Sequence, residues 1–399
     1  MYTTKPLSVY RNSPEAMSLP PEGPNSGYLV LQDDETTNTC CFGLCKDPSI
    51  KDLPFPQNKR LSIEYHVDSG DGGYHSYNEV YLIPVINQPL SSNRYYAIKS
   101  DWGKHKGLAY ASSLEEDKVT CCFCIPCIRD VKPRPFDPDD IYQQFEFSVT
   151  KTCLNSNMLI AKSMAAGGHP PSFFRRYGWE MKAKSLKNST LGEAQGIDSS
   201  LRAHLPDFNF PSSQDCSKSV VVGKWYCPFI FIKDGKEKEQ IKYSVFYEMT
   251  LEQRWERIFS TERSYGQGKV VSVEVAIPTE IVRIAGQIAL KQERNDERRM
   301  VHFKAIDEKG IEEQVGLSSL IVERMIWEEE RFGWVKETNK YVKVVKEYEY
   351  EGIGEWTSFG CYVLVESFVL KRNDGSVMLT YDFRHTHHQL RSKWESMIC

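Results

Sequence analysis

The 399-residue chain has no run of about 20 apolar residues, the length a membrane-crossing helix requires. Its longest apolar stretches, CCFCIPCI (121–128) and CYVLVESFVL (361–370), are strand-sized. The opening MYTTKPLSVYRNSPEAMSLPPEGP is polar and proline-rich. It has neither the apolar core of a secretory signal nor the Arg-rich, acid-poor pattern of a transit peptide, so the expected location is cytoplasmic. There is no excess of one charge sign either: 50 basic residues face 54 acidic ones, a net charge of −4. That balance argues against a sequence-independent hold on nucleic acid.

Enzyme fingerprints are also missing. SYGQGKVVSV (264–273) has the wrong glycine spacing for a phosphate-cradling loop, no Ser or Thr after its lysine, and a strand beyond. No nucleophile elbow, H-E-x-x-H helix, dinucleotide fingerprint or kinase set occurs. VDSGDGGYHSYNEV (67–80) places Gly73 and Glu79 where a calcium loop starting at Asp68 has them. Gly70 and Gly72, however, stand where oxygen side chains are required, so the stretch reads as a hairpin tip. An enzyme would need catalytic residues dispersed through the chain.

What the chain does have is 12 cysteines and repeated phrases. TCCFGLC (39–45) returns 81 positions later as TCCFCIPC (120–127), and Phe55 and Phe136 keep the same offset. Each copy has a short apolar strand and an acidic turn before it and a proline-rich segment after it, which reads as an internal duplication. Cys41, Cys45, Cys124 and Cys127 have the spacing of two thiolate pairs, a candidate zinc site. Adjacent residues of a strand point to opposite faces, so only one member of each Cys-Cys pair could face a shared ion. Packing as small hydrophobes and S-acylation are the other readings of these thiols.

The C-terminal half repeats itself more loosely. Residues 224–259 and 360–397 each read as an apolar strand, an Asp-Gly turn (234–235, 374–375) and a second strand. Thr250/Gln253 and Thr386/Gln389 then have the Thr-x-x-Gln form of a capping box, predicting short helices that reach Trp-Glu at 255–256 and 394–395. Further strands are predicted at 269–277, 299–306 and 340–348. A helix is predicted around 317–331, with Leu320, Ile321 and Met325 on one stripe and the Glu run on the other face. The fold class is therefore α+β, predominantly antiparallel β: two β-rich halves, each with an internal duplication, plus a few short helices. The expected domains are 1–190 with the two Cys-Cys units, a polar linker or long loop at 191–218, and 219–399 with two strand-hairpin-helix units.

Two further patterns bear on binding. FFRRYGWEMKAKSLK (173–187) mixes Arg175, Arg176, Lys182, Lys184 and Lys187 with aromatics. It reads as a surface for anionic lipid or an acidic partner, or as a strand with a solvated basic face. RHTHHQL (384–390) could set His385 and His387 on one strand face as a metal pair, with no fixed carboxylate partner evident in the sequence.

Phrases along the chain, among them EGPNSGYLVLQDDETTNTCCFGLC, LPFPQNKRLSIEY, VVGKWYCPFIFIKD, FYEMTLEQRWERIF and TYDFRHTH, resemble the plant proteins grouped as domain of unknown function 1262. The resemblance implies a soluble plant protein without an assigned activity and brings no functional residues with it. The leading expectation is a non-enzymatic binding or interaction protein with a protein or small-molecule partner. The alternatives are reversible membrane association through acylated cysteines and the basic aromatic segment, or an enzyme with dispersed residues.

Overall fold

The computed structural model describes residues 1–37, 39–40, 45–67, 74–121, 125–151, 157–185, 191–265, 268–292 and 299–396. Most of the regular structure is antiparallel β-sheet. The chain forms two compact units: Met1–Ala194 with Trp225–Tyr247 and Asp296–Met300, and Gln195–Lys224 with Glu248–Asn295 and Val301–Cys399.

The first unit is organised by a seven-stranded sheet. Its strands lie in the order Asn157–Ser163, Gln144–Lys151, Arg94–Lys99, Tyr74–Pro84, Lys59–Val67, Glu180–Ser185, Ser49–Ile50, and every neighbouring pair is antiparallel. Alternation puts Leu61, Ile63, Val80, Leu82, Phe145, Phe147 and Met181 on one face, where Phe55, Phe173, Phe174 and Trp179 cover them. The rings meet edge to face: Phe55 to Phe147 at 5.1 Å and Phe147 to Phe174 at 5.2 Å between centroids. Trp179 donates its indole N–H to the Phe174 carbonyl at 3.1 Å, so this buried ring keeps its polar atom satisfied.

The described ends of both cysteine phrases are paired antiparallel. Thr39–Cys40 pairs with Cys45–Lys46, and Lys118–Cys121 pairs with Ile125–Ile128. Phe55 and Phe136 have unlike surroundings. Phe55 is fully buried in the sheet's core, whereas Phe136 is half-buried and packs on Tyr96 and Phe231. The calcium-loop residues 68–73 lie outside the described residues; the arms around them, Lys59–Val67 and Tyr74–Pro84, are paired antiparallel.

In the second unit, strands run in the order Met300–Ile306, Gln287–Gln292, Glu280–Ile284, Val377–Arg384, Trp356–Lys371 and Phe246–Glu262. Leu390–Ser396 pairs with the first half of Trp356–Lys371. That central strand is buried almost without interruption because both its faces are covered. Tyr362 and Leu364 pack with Trp255, Phe208, Phe210 and Phe332. Phe359 and Cys361 face Val271 and Val273 of the ribbon Val270–Pro278/Tyr341–Glu349.

Several expected elements are present, within a residue or two of their expected bounds: the strands Val270–Pro278, Met300–Ile306 and Tyr341–Glu349, the helix Ser319–Arg331, and a hairpin turning at Asp374–Gly375, where Gly375 has φ 83°. The helices expected from the Thr-x-x-Gln phrases are not. Thr250 to Trp255 lie inside the 17-residue strand Phe246–Glu262, and Thr386 to His388 form a turn before the strand Leu390–Ser396. The period decides this. Met249, Leu251, Gln253 and Trp255 are buried at every second position while Glu252, Arg254 and Glu256 alternate with them, so a strand segregates the polar residues and a helix would not. The turn at Asp234–Gly235 leads into the helix Glu237–Tyr243 instead of a hairpin.

Gly27 tests the packing of the first unit. It lies directly opposite Tyr2 in the parallel pair Tyr2–Pro6/Gly27–Leu31. A Cβ there would overlap the Tyr2 ring, reaching Cδ1 at 2.7 Å. The ring is fully buried and its hydroxyl donates to the Pro84 carbonyl at 2.8 Å, so it cannot swing aside. Gly27→Ala is expected to cost about 1–3 kcal/mol by overpacking, read from urea unfolding of the variant beside the parent.

Candidate functional site: a buried Arg-Glu-His cluster

Glu366 stands in the middle of the apolar strand Trp356–Lys371 and is fully buried. A carboxylate placed there needs a cation and hydrogen-bond donors, because desolvation without them is prohibitive. Arg202, from the helix Ser199–His204, supplies both: Nε donates to Oε1 at 2.9 Å and Nη2 to Oε2 at 2.6 Å, a bidentate pair. Gln253, directly across the strand pair from Glu366, donates its amide to Oε1 at 2.9 Å and to the Arg202 carbonyl at 3.1 Å. The guanidinium lies 4.2 Å from the centre of the Phe332 ring.

The helix Ser319–Arg331 brings the second carboxylate. The expectation put its Glu run on the outer face. Positions 321, 325, 328 and 329 instead share one stripe, so Glu328 and Glu329 are buried below Ile321 and Met325. Acids in a last turn oppose the helix dipole. Cations offset this: Arg202 Nη2 lies 3.4 Å from Glu329, Arg324 pairs with Glu328, and His385 Nε2 lies 3.1 Å from Glu329. The same His385 nitrogen is 3.2 Å from Glu366.

These contacts set the protonation states. Burial and then the Glu366 charge push Glu329 up to about 8. Burial pulls His385 down, but the hydrogen bonds its ring makes to Glu329 and Glu366 outweigh it and carry the ring up to about 9. Glu366 is held well below the usual carboxylate range: burial opposes ionisation, but its bonds to His385 and Arg202 prevail. Near neutrality the cluster is thus an ionised Glu366 between two cations, with Glu329 holding a proton.

One donor atom from each of Glu329, Glu366 and His385 lies within 4.8 Å of the others, so these three residues could hold a metal ion. The donor set fits a cation poorly. Arg202 already occupies Glu366 Oε2, and an ion there would face the guanidinium across a low-dielectric interior.

The residues singled out from sequence lie elsewhere. Cys41, Cys124 and Lys187 are outside the described residues. Cys45 is placed only as backbone opposite Cys40, and Cys127 is half-buried opposite Val119. Arg175 pairs with Asp130 at 2.6 Å, Lys182 with Glu64 at 2.6 Å and Lys184 with Glu79 at 3.4 Å. Arg176 lies over the rings of Tyr65 and Tyr74. Phe173, Phe174 and Trp179 of the same segment are core residues. Of the two histidines, His385 belongs to the buried cluster, while His387 is exposed beside Glu337 at 2.9 Å. Sequence reasoning missed Arg202, Gln253, Glu328, Glu329 and Glu366. The available signals were a lone acid inside CYVLVESFVL and acids crowded at a helix C-terminus.

A model of the family described as "Protein of unknown function (DUF1262)" matches residues 22–123, a stretch that contains none of the cluster residues. No curated protein was found to match. Among solved structures, the crystal structure of Cry35Ab1 is similar at a TM-score of 0.47 and 14% identity, covering 85% of this chain and 90% of that one. The likeness is too loose to bring any property across.

The cluster makes stability depend on pH. Glu329 moves from 4.5 in the unfolded chain to about 8 in the folded one, and His385 from 6.5 to about 9. For both, the folded state holds the proton more tightly, so their contribution is complete at low pH and is lost as pH rises. Both act between pH 6.5 and about 8, where the fall is steepest. Glu366 works in the opposite sense, losing its contribution only in acid, below 4.5. Urea unfolding across this range should show stability decreasing from pH 6.5 to 8, with the slope reduced by half or more in Glu329→Gln, which removes its own titration and its support of the His385 charge. An unchanged slope in that variant would remove Glu329 from the account. Separately, Arg202→Met deprives the buried Glu366 carboxylate of its bidentate partner and is expected to cost roughly 3–5 kcal/mol at neutral pH.

Proposed function

We propose that the protein is a non-enzymatic binding or interaction protein of the cytoplasm, in line with a plant family of unassigned activity. One observation supports this best. Among the described residues, the one convergence of three acid or imidazole side chains able to take a metal is Glu329, Glu366 and His385, and their exposures are 0%, 0% and 3%. A general acid or base has to reach its substrate within hydrogen-bond distance. These groups spend their bonds on Arg202, Gln253 and one another. The reading thus treats the cluster as architecture and looks to the surface for binding.

The internal duplication belongs to the same proposal. Each cysteine hairpin is followed by a longer one, Lys59–Val67/Tyr74–Pro84 after the first and Gln144–Lys151/Asn157–Ser163 after the second. Reversible membrane association has less behind it. No helix among the described residues is long and apolar enough to cross a membrane, and the aromatics of the basic segment are committed to the core.

The discriminating experiment incubates a trace of the protein with a cell-derived small-molecule extract and follows it by mass spectrometry, alongside equilibrium dialysis at high protein concentration. The expected result is saturable retention without time-dependent consumption of any compound. Turnover by the parent protein that disappears in a folded His385→Asn variant would overturn the reading in favour of an enzyme.

A further inference from the structure

On the face of the seven-stranded sheet opposite Leu61 and Ile63, His66 and His75 stand directly opposite each other across the antiparallel pair Lys59–Val67/Tyr74–Pro84. Their ring centroids are 3.9 Å apart with planes tilted by 31°, and Nδ1 approaches Nδ1 to 2.8 Å. Both residues are exposed. The core face of the same strands carries Leu61, Ile63, Val80 and Leu82, so strand alternation fixes which way the imidazoles project. Tyr77, two residues on from His75, lies nearly parallel to its ring, 8° between planes with centroids 6.3 Å apart.

We propose that His66 and His75 form a binding site for a divalent first-row cation that favours right-angled coordination, Ni²⁺ or Cu²⁺, with water filling the remaining positions. The spacing carries the argument. Two nitrogens each about 2.0–2.1 Å from one ion lie about 2.9 Å apart at a right angle, and about 3.3 Å apart at the tetrahedral angle. The observed 2.8 Å matches the first geometry, the tetragonal arrangement these ions prefer. Without metal the same separation is that of one ring donating N–H to the other. The sheet register brings the two donors together before the ion arrives, which reduces the ordering cost of binding. The exposed position leaves room for the ion and its waters.

The site lies within the segment matched by the family model and is independent of the buried cluster and of the binding role proposed above. Ni²⁺ is the probe of choice, because Cu²⁺ would also oxidise accessible thiols such as the exposed Cys216. Calorimetric titration of the full chain with Ni²⁺ at mildly alkaline pH should give one site per chain. Losing even a second-sphere partner of a metal costs about 10- to 100-fold, so His66→Ala and His75→Ala should each weaken binding by roughly tenfold or more. The double variant should lose the site altogether, since each single variant retains one monodentate imidazole. His387→Ala, at an exposed histidine beside Glu337, should leave the affinity unchanged. Metal-free unfolding midpoints equal to that of the parent would show that the variants fold. Absence of saturable Ni²⁺ binding, or binding that survives in both single variants, would overturn the proposal.

Discussion

The bidentate pair between Arg202 and Glu366 is the constraint around which the second unit is arranged. An acid in the centre of a doubly covered strand leaves few options: protonation, a metal, or a cation delivered by another element. Here the short helix Ser199–His204 delivers the guanidinium, and its arrival organises what lies beside it. Phe332 stacks on the guanidinium, Gln253 bridges it to the strand, and the end of the helix Ser319–Arg331 docks with Glu328 and Glu329 turned inward. His385 then closes the arrangement from the end of the neighbouring strand, between the two carboxylates. A buried network of this kind adds little net stability compared with an apolar core, but each member becomes costly to remove once the others are in place.

How much of this could be read from sequence depended on the range of the interaction. Local patterns were legible. The alternation in VVSVEVAIP marked a strand, the Asp-Gly at 374–375 marked a hairpin turn, and the stripe through Ile321 and Met325 marked a helix. Thr250/Gln253 misled because a capping box and a strand can share the same four letters, and only the longer alternation through Trp255 separates them. The cluster was illegible for a different reason. Arg202 and Glu366 are 164 residues apart, and Arg202 lies in a polar stretch without period. No local rule couples a lone arginine in such a stretch to a lone glutamate in an apolar strand.

The first unit meets the same problem of charge at its surface. Lys182 and Lys184 project from a strand beside Lys59–Val67 and meet Glu64 and Glu79 on the opposite side from Met181, which turns into the core. The basic character visible in the sequence of residues 173–187 is thus balanced across strands by acids more than 100 positions away. Such exposed pairs contribute little to stability. They do change what the surface presents, since a partner attracted to those lysines would have to displace carboxylates already in place.

The reverse face of the strand Trp356–Lys371 shows why the buried charges suit this architecture. Ser367, next to Glu366, points the other way and donates to Asp382 at 2.6 Å, and Arg254 reaches the same carboxylate at 3.1 Å. Asp382 is as fully buried as Glu366 and also pairs with Arg283, so each face carries a buried acid neutralised by arginine. A slip of one residue in strand pairing exchanges the two faces. It would carry Glu366 away from Arg202 to the side that already holds Asp382, breaking the bidentate pair and bringing two buried acids together. Apolar residues such as Val363, Leu364 and Val365 tolerate either face and cannot forbid that slip by themselves. The paired charges can, and a long apolar strand flanked by partners on both edges is where such a restriction is most needed.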